Sequence, residues 1–341
     1  MRKLYFIGAA LLAILAVSCD KADVPSSEPA AKGIPMTLTA TIVSADTKVD
    51  VVDDETNRVL KCNWEVGDKV SVISLDASNY PTANDLFTAT TTGKTATFSG
   101  TFTGGSPDRV VVIYPALTEG DGSSTNKWRS PSHNGGFTTN GLLQDVQTDY
   151  EYMLLQTSYY LQSKLNSAEH LKNYLVMSGE ANKSDLSTNK LTVDLVHRTA
   201  VLKVKFTLPA SGKTVTRVDV FGNKFDASSF YYAKRGWLAF ETITSSFGAD
   251  SNQNYTSMFI GANIVDSSSG SGLPVSGTTA TVYIPFVPNG SAGEVTFETN
   301  DYLTVRVYYS GGKAEAKPKF TSNKTLQAGK LYTVNVSVNE I

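Results

Sequence analysis

The sequence predicts an all-β protein, and three observations carry that reading. Thr, Ser, Val, Gly and Asn are abundant. β-branched residues favour strands, while Gly, Asn and Ser favour turns. Charged residues are 18% of the chain, below the roughly 25% of average domains, which with this composition points to an exported, surface-exposed protein. Short runs of alternating apolar and polar residues recur between Gly, Asn or Ser clusters, the spacing of β-sandwiches.

The first element is not part of the fold. Arg2 and Lys3 precede a nearly unbroken apolar run from Leu4 to Val17, interrupted only by Tyr5 and Gly8. The run is shorter than the about 20 apolar residues that span a bilayer, and it reads as an export signal. Cys19 follows directly after Ala16-Val17-Ser18, which makes residues 1–18 resemble a bacterial lipoprotein signal. In that class a diacylglycerol is attached to the cysteine thiol after cleavage. The pattern departs from the usual one in carrying Ala16 three places before the cysteine, with Leu15 one place earlier. The segment 19–33 carries prolines, small residues and charges, and reads as a flexible tether or propeptide.

Strands are expected from there on. "MTLTATIV" alternates Met36, Leu38, Ala40 and Ile42 against threonines. A long polar loop follows, and strand character returns in "VLKCNWEVGDKVSVISL", with a turn at Glu65-Val66-Gly67-Asp68. "ATFSGTFTG" and "RVVVIYPAL" are two more strands. The Gly- and Ser-rich stretch Thr118 to Gly141 reads as a surface loop. A short amphipathic helix is expected within Asn166 to Tyr174.

The longest β-run is "NKLTVDLVHRTAVLKVKFTL". Its apolar face changes parity near Val196, which predicts a bulge or an inter-domain crossing there. A domain boundary is expected near residue 190, giving an N-terminal β-sandwich at 34–189 and a C-terminal one at 190–341. Six further short runs follow, ending in "GKLYTVNVSVNEI". There Tyr332, Val334, Val336 and Val338 share one face of a strand.

No chemistry is written along the chain. His133, His170 and His197 have no metal-ligand spacing, and no zinc, phosphate-loop, nucleophile-elbow or dinucleotide motif is present. His133 is expected to be solvated in its loop, and His197 to be a half-buried structural imidazole. Asp53-Asp54-Glu55 and Asp108 read as solvated acids, and "EGDGSS" as a turn. Beyond Cys19 only Cys62 remains, so the mature chain has no internal disulfide. Cys62 alternates with Leu60 and Trp64 and reads as a small buried group. The formal net charge is −2, too mild for a nucleic-acid partner. The chain is read as a non-enzyme with no cofactor and no metal.

Four motifs combine in order: "NWEVGDKVSV", "VVVIYPA", "LVHRTAVLKVKF" and "LQAGKLYTVNVSV". Behind a lipobox-like signal this set resembles the fimbrillin family, the subunits of type V pili in Gram-negative anaerobes. The resemblance covers most of Met36 to Ile341. It implies two tandem transthyretin-like β-sandwich domains, and a lipidated precursor carried through Cys19 to the cell outer membrane. A protease cut after a basic residue then follows, for which Lys48 and Arg58 are the candidates. The resemblance also implies assembly with other pilus subunits by strand exchange. In that scheme "MTLTATIV" is the removable covering strand, and Tyr332, Val334, Val336 and Val338 mark the candidate donor strand. A host protein or glycan is a further candidate partner. The second reading is a surface lipoprotein that stays anchored, as a pilus anchor or as a glycan-binding protein using the aromatics of "SFYYAKRGW".

Overall fold

The computed structural model describes residues 33–43, 52–54, 59–77, 81–119, 128–129, 143–146, 152–155, 160–223, 230–231, 236–239, 247–248, 260–288 and 294–341. Seven strands close into a barrel. They are β1 (Ile34–Ile42), β2 (Lys69–Leu75), β3 (Pro81–Ala89), β4 (Thr95–Phe102), β5 (Arg109–Tyr114), β6 (Met177–Ala181) and β7 (Lys190–His197). Their order around the barrel is β1-β7-β6-β5-β2-β3-β4, closing on β1. The sequence predicted a sandwich in this half; the strands here pair into a closed barrel, which leaves no free edge.

Two larger sheets carry the rest of the core, and the described residues also hold a separate four-stranded sheet and three two-stranded ladders, one of them Glu294–Phe297 with Lys324–Gln327. The first of the two larger sheets is built on β8 (Ala200–Thr207), which pairs antiparallel with β11 (Thr279–Pro288) and parallel with β14 (Leu331–Ser337). The other runs from Tyr160–Gln162 through β10 (Ile260–Ile264), β9 (Thr214–Gly222), β12 (Leu303–Tyr309) and β13 (Gly312–Ala316) to Asn339–Glu340. Leu202, Val204 and Phe206 of the first sheet and Val218, Val220, Val305 and Val307 of the second belong to one buried cluster. The all-β expectation is met, and the described helical segments are two short 3₁₀ turns, Glu169–Asn173 and Lys183–Thr188. The first lies where a short helix was expected.

Local chemistry explains the barrel strands. β1 alternates as expected: Met36, Leu38, Ala40 and Ile42 are buried and the residues between them are not. The turn before β2 closes by Asp68 N–H donating to the Glu65 carbonyl (3.1 Å), while the Asp68 carboxylate accepts from Glu65 N–H (2.8 Å). Gly67 supplies the left-handed backbone there, with φ +96°. β5 reads as an almost continuous apolar run and β2 is buried from Val70 to Leu75, Ser71 and Ser74 included, because both their faces are covered. Val70, Val72, Val110 and Val112 fill the barrel, while Ile73, Leu75, Val111 and Ile113 join the core of the neighbouring sheets. In return Val201, Tyr283 and Leu331 from the β8–β11–β14 sheet reach the barrel cluster. The two halves therefore share their hydrophobic contacts within one compact unit, Gly33–Ile341.

The parity change near Val196 is the crossing between the sheets. Leu191, Val193, Leu195 and His197 are buried, whereas Val196 is 40% exposed. The chain leaves the barrel after His197 and enters the next sheet at Ala200. This sheet change lies a few residues beyond the boundary expected near 190.

Trp64 is the largest side chain of the barrel core. It meets Phe98 edge-on at 5.0 Å and Tyr114 edge-on at 5.2 Å, and it is fully buried. Its indole N–H has no hydrogen-bond partner among the described residues, so its contribution is packing. Trp64→Ala is expected to destabilise the protein by about 3–5 kcal/mol and Trp64→Phe by much less. Urea unfolding of the two variants beside the wild type measures the difference.

Candidate functional site

Two strands stand out as places where another chain could pair. The first is β1. It is the first strand of the barrel, and the next barrel strand begins only at Lys69. It sits between β7, paired parallel, and β4, paired antiparallel. Its seat is lined by Ala96, Phe98 and Phe102 from β4 and by Leu191, Val193 and Leu195 from β7. Main-chain bonds extend past the strand: Ile42 N–H donates to the Lys94 carbonyl (3.0 Å) and Val43 N–H to the Leu195 carbonyl (3.0 Å). Burying Met36, Leu38 and Ile42 stabilises this strand by about 1.5–3 kcal/mol each.

The second is β14. Its pairing puts it in its own sheet, in register Leu202↔Tyr332, Val204↔Val334 and Phe206↔Val336. Tyr332, Val334 and Val336 are half-buried and pack on the core beneath, and Val338 is buried. Val201 N–H donates to the Lys330 carbonyl and Val338 N–H to the Thr207 carbonyl, both at 3.0 Å. Hydrogen-bonding direction alternates along a strand, so the even-numbered residues of β14 face β8. Thr333, Asn335 and Ser337 accordingly turn their N–H and C=O groups away from it. β14 lies at the end of its sheet.

The opposite edge of the same sheet is treated differently. Tyr231 and Phe230 cover only the Val287–Pro288 end of β11. Further along, side chains take the place of a strand. Gln162 Oε1 accepts from Tyr283 N–H (3.0 Å) and Asn166 Oδ1 accepts from Thr281 N–H (2.8 Å). Asn166 N–H donates to the Thr281 carbonyl (2.9 Å). His170 Nε2 lies 2.9 Å from the Tyr283 carbonyl, which can only accept, so this nitrogen carries the proton. One edge is plugged by the segment 160–170, and β14 is not.

A groove of about 810 Å³ runs beside β14. Its walls are β14, part of β8 and the segment 319–327. Leu303, Phe320, Leu326, Tyr332 and Val334 supply apolar surface, and Lys203, Lys205, Lys319, Lys324 and Lys330 supply charge. No carboxylate is among its lining residues. Tyr332 Oη accepts from Gln327 N–H (2.7 Å), which fastens the wall to the strand. The sequence reading missed these lysines. The signal is present, since Lys313, Lys317, Lys319, Lys324 and Lys330 fall in one short stretch with only Glu315 against them.

The other residues singled out from sequence separate clearly. Cys19, Lys48, Arg58, His133 and Glu55 lie outside the described residues. So do the side chains of "SFYYAKRGW" and of Asp53 and Asp54. Cys62 is buried and takes part in no disulfide. Asp108 is exposed, 3.7 Å from Lys183 Nζ. His197 is fully buried rather than half-buried, because it sits where the chain passes between the two cores. Burial pushes its pKa down to about 3, and burial likewise lowers the neighbouring Arg198 to about 10. Arg198 Nε donates to Ser178 Oγ (2.8 Å). Among the described residues no group of three or more His, Cys, Asp or Glu side chains could hold a metal, and no helix is long and apolar enough to cross a membrane.

His197 gives the fold a defined acid response. It is neutral when folded and takes up a proton near pH 6.5 when unfolded, so below that pH the unfolded state binds more protons. Stability falls as pH drops from about 6.5 to about 3, with a slope contribution of about 1.4 kcal/mol per pH unit inside that window. His197→Gln is expected to flatten this part of the pH profile, read from urea midpoints between pH 4 and 7.

No family model matches the chain, and no curated protein sequence matches it. Solved structures do. Two are described as a "putative cell adhesion protein". The one from Bacteroides ovatus is 13% identical with TM-score 0.41, and the match covers 91% of this chain and 96% of that one. The one from Bacteroides uniformis is also 13% identical with TM-score 0.41, covering 90% and 96%. A third is the fimbrial anchor protein Mfa2 from Porphyromonas gingivalis, 8% identical with TM-score 0.29, covering 84% and 83%. By their descriptions these three are cell adhesion and fimbrial proteins.

Proposed function

We propose that the chain is a non-enzymatic structural subunit, stalk or tip, of a cell-surface fimbrium that supports adhesion. In this reading it is exported as a lipoprotein precursor, cut after Lys48 or Arg58, and assembled by strand exchange. The barrel, which runs through β7 to His197, and the sheets that begin at Ala200 then stand for the two tandem transthyretin-like domains implied by the motif resemblance.

The observation that carries the reading is the seat of β1. A strand of nine residues closes the barrel, and the residues that follow it up to 58 include both candidate cut sites. Cutting that stretch releases the covalent tether but not the strand, because apolar burial and two ladders still hold it. A competing strand with its own alternating apolar face is needed to displace it. "LYTVNVSV" has such a face. For this strand to act as donor, it must leave β8 of its own chain, to which it is paired here, or pair through its outer edge. The second reading keeps the lipid on Cys19 and makes the chain an anchored surface lipoprotein, a pilus anchor or a glycan-binding protein.

The mass of the mature surface form separates these readings. The subunit reading expects a polypeptide that starts at Val49 or Val59 and carries no lipid. A lipidated protein starting at Cys19 overturns the processing step and leaves the anchored reading. Deleting Val334 to Ile341 is expected to abolish SDS-resistant ladders in surface fractions while the monomer is still secreted. Ladders from the truncated chain would remove the donor role of this strand.

A further inference from the structure

We propose that the groove beside β14 is a docking site for an extended acidic peptide, which adds to the sheet as a new strand next to β14. This site is separate from the β1 seat, and it does not rest on the fimbrial reading.

Three features converge on that occupant. The first is the strand edge. Thr333, Asn335 and Ser337 are exposed and turn their backbone groups outward, and among the described residues no strand pairs with β14 on that side. An incoming extended backbone satisfies those groups by continuing the ladder. The contrast with β11 is informative, because there the fold spends Gln162, Asn166 and His170 on closing the edge.

The second is the half-buried apolar face. Tyr332, Val334 and Val336 are only partly covered, and Leu303, Phe320 and Leu326 line the groove. A strand laid beside β14 places every second side chain over this surface. The third is charge. Five lysines line the groove without a carboxylate among them. Lys203 is buried with its ammonium 5.9 Å from the centroid of the Tyr283 ring. Lys205, Lys319 and Lys324 are exposed and Lys330 is half-buried. Glu294, which accepts from Gln327 Nε2 (3.0 Å), stands outside the lining. Like charges gathered at one groove repel, and an acidic partner relieves that repulsion and is steered to it. The matching ligand is therefore a peptide that alternates apolar residues with Asp or Glu.

Alternative anionic ligands differ in one testable respect. A sulfated glycan needs the lysines but not the strand edge, whereas a peptide strand needs both. The probe is a fluorescent nine-residue peptide of alternating Val and Asp, titrated into the purified full chain at low and high salt. Saturable binding that weakens with salt is expected, and the matching Val–Lys peptide is expected not to bind. Replacing Lys205, Lys319, Lys324 and Lys330 together by Gln is expected to weaken binding by roughly ten- to a hundredfold. Asn335→Pro removes an outward N–H and no bond to β8, so the fold tolerates it as edge strands do. It is expected to abolish peptide binding while leaving the melting temperature close to wild type.

The proposal is overturned if the peptide does not bind the wild type, or if its binding is indifferent to the lysine replacements. It is also overturned if Asn335→Pro, folded as judged by its melting curve, binds as well as wild type. A heparin-derived oligosaccharide that binds both wild type and Asn335→Pro, where the peptide binds neither, assigns the groove to a glycan instead. Should Asn335→Pro fail to fold, an N-methylated Val–Asp peptide with the wild-type protein answers the same question. Blocked binding supports strand addition, and unchanged binding refutes it.

Discussion

The run from Lys190 to Thr207 is what the rest of the structure is hung on. Its first half, β7, takes β1 as a parallel neighbour, and its second half, β8, takes β14 as a parallel neighbour. One continuous stretch therefore closes the barrel at one end and organises the β8–β11–β14 sheet at the other. Between the two halves lie His197, Arg198 and Thr199, all buried. Buried polar groups are tolerated only where they are bonded or kept neutral. Here Arg198 reaches Ser178, and His197 sheds its proton. The junction is costly to build, and it gives the two cores a fixed connection that a flexible linker would not.

The two halves solve the edge problem in opposite ways. The barrel has no edges because its ladder closes on itself. The sheet built on β8 has two. One is plugged by side chains from residues 160–170, and these also hold the 3₁₀ turn in place through His170 and Tyr174, whose rings are 6.0 Å apart. The other has no strand paired to it among the described residues, and lysines line the groove beside it. Positive charge along an exposed edge is a common way to discourage a second copy of the same edge from pairing. The same charge admits a partner of opposite sign. Protection against self-association and selection of a ligand can thus come from one set of residues.

Much of the fold is legible in the sequence where one face of a strand is wet. β1 and β14 show their alternation directly, and the parity change at Val196 announces the crossing. Other strands are hidden for physical reasons. β3 begins at Pro81 and carries buried Asp85, whose carboxylate accepts from the Thr103 backbone and hydroxyl at 2.7 Å. A polar residue satisfied inside breaks the expected pattern. β6 reads as "MSGEA", with Gly179 where the Asp194 carbonyl leaves no room for a side chain. The groove is hidden for a different reason. Lys203 and Lys205 stand far from Lys319, Lys324 and Lys330 in sequence, and they come to one groove only through the β8–β14 pairing and the segment 319–327 fastened beside it.

Parallel pairing has a consequence for how the chain is made. A parallel neighbour cannot be reached by a tight turn, so each such pair joins segments far apart in sequence. Leu38 pairs with Leu191 and Val204 with Val334. β1 is synthesised first and finds β4 early, but β7 comes late. Until then its outer side is an unsatisfied edge with an apolar face, and contacts this distant form slowly. The nascent chain is therefore most exposed to misassociation before Lys190–His197 arrives.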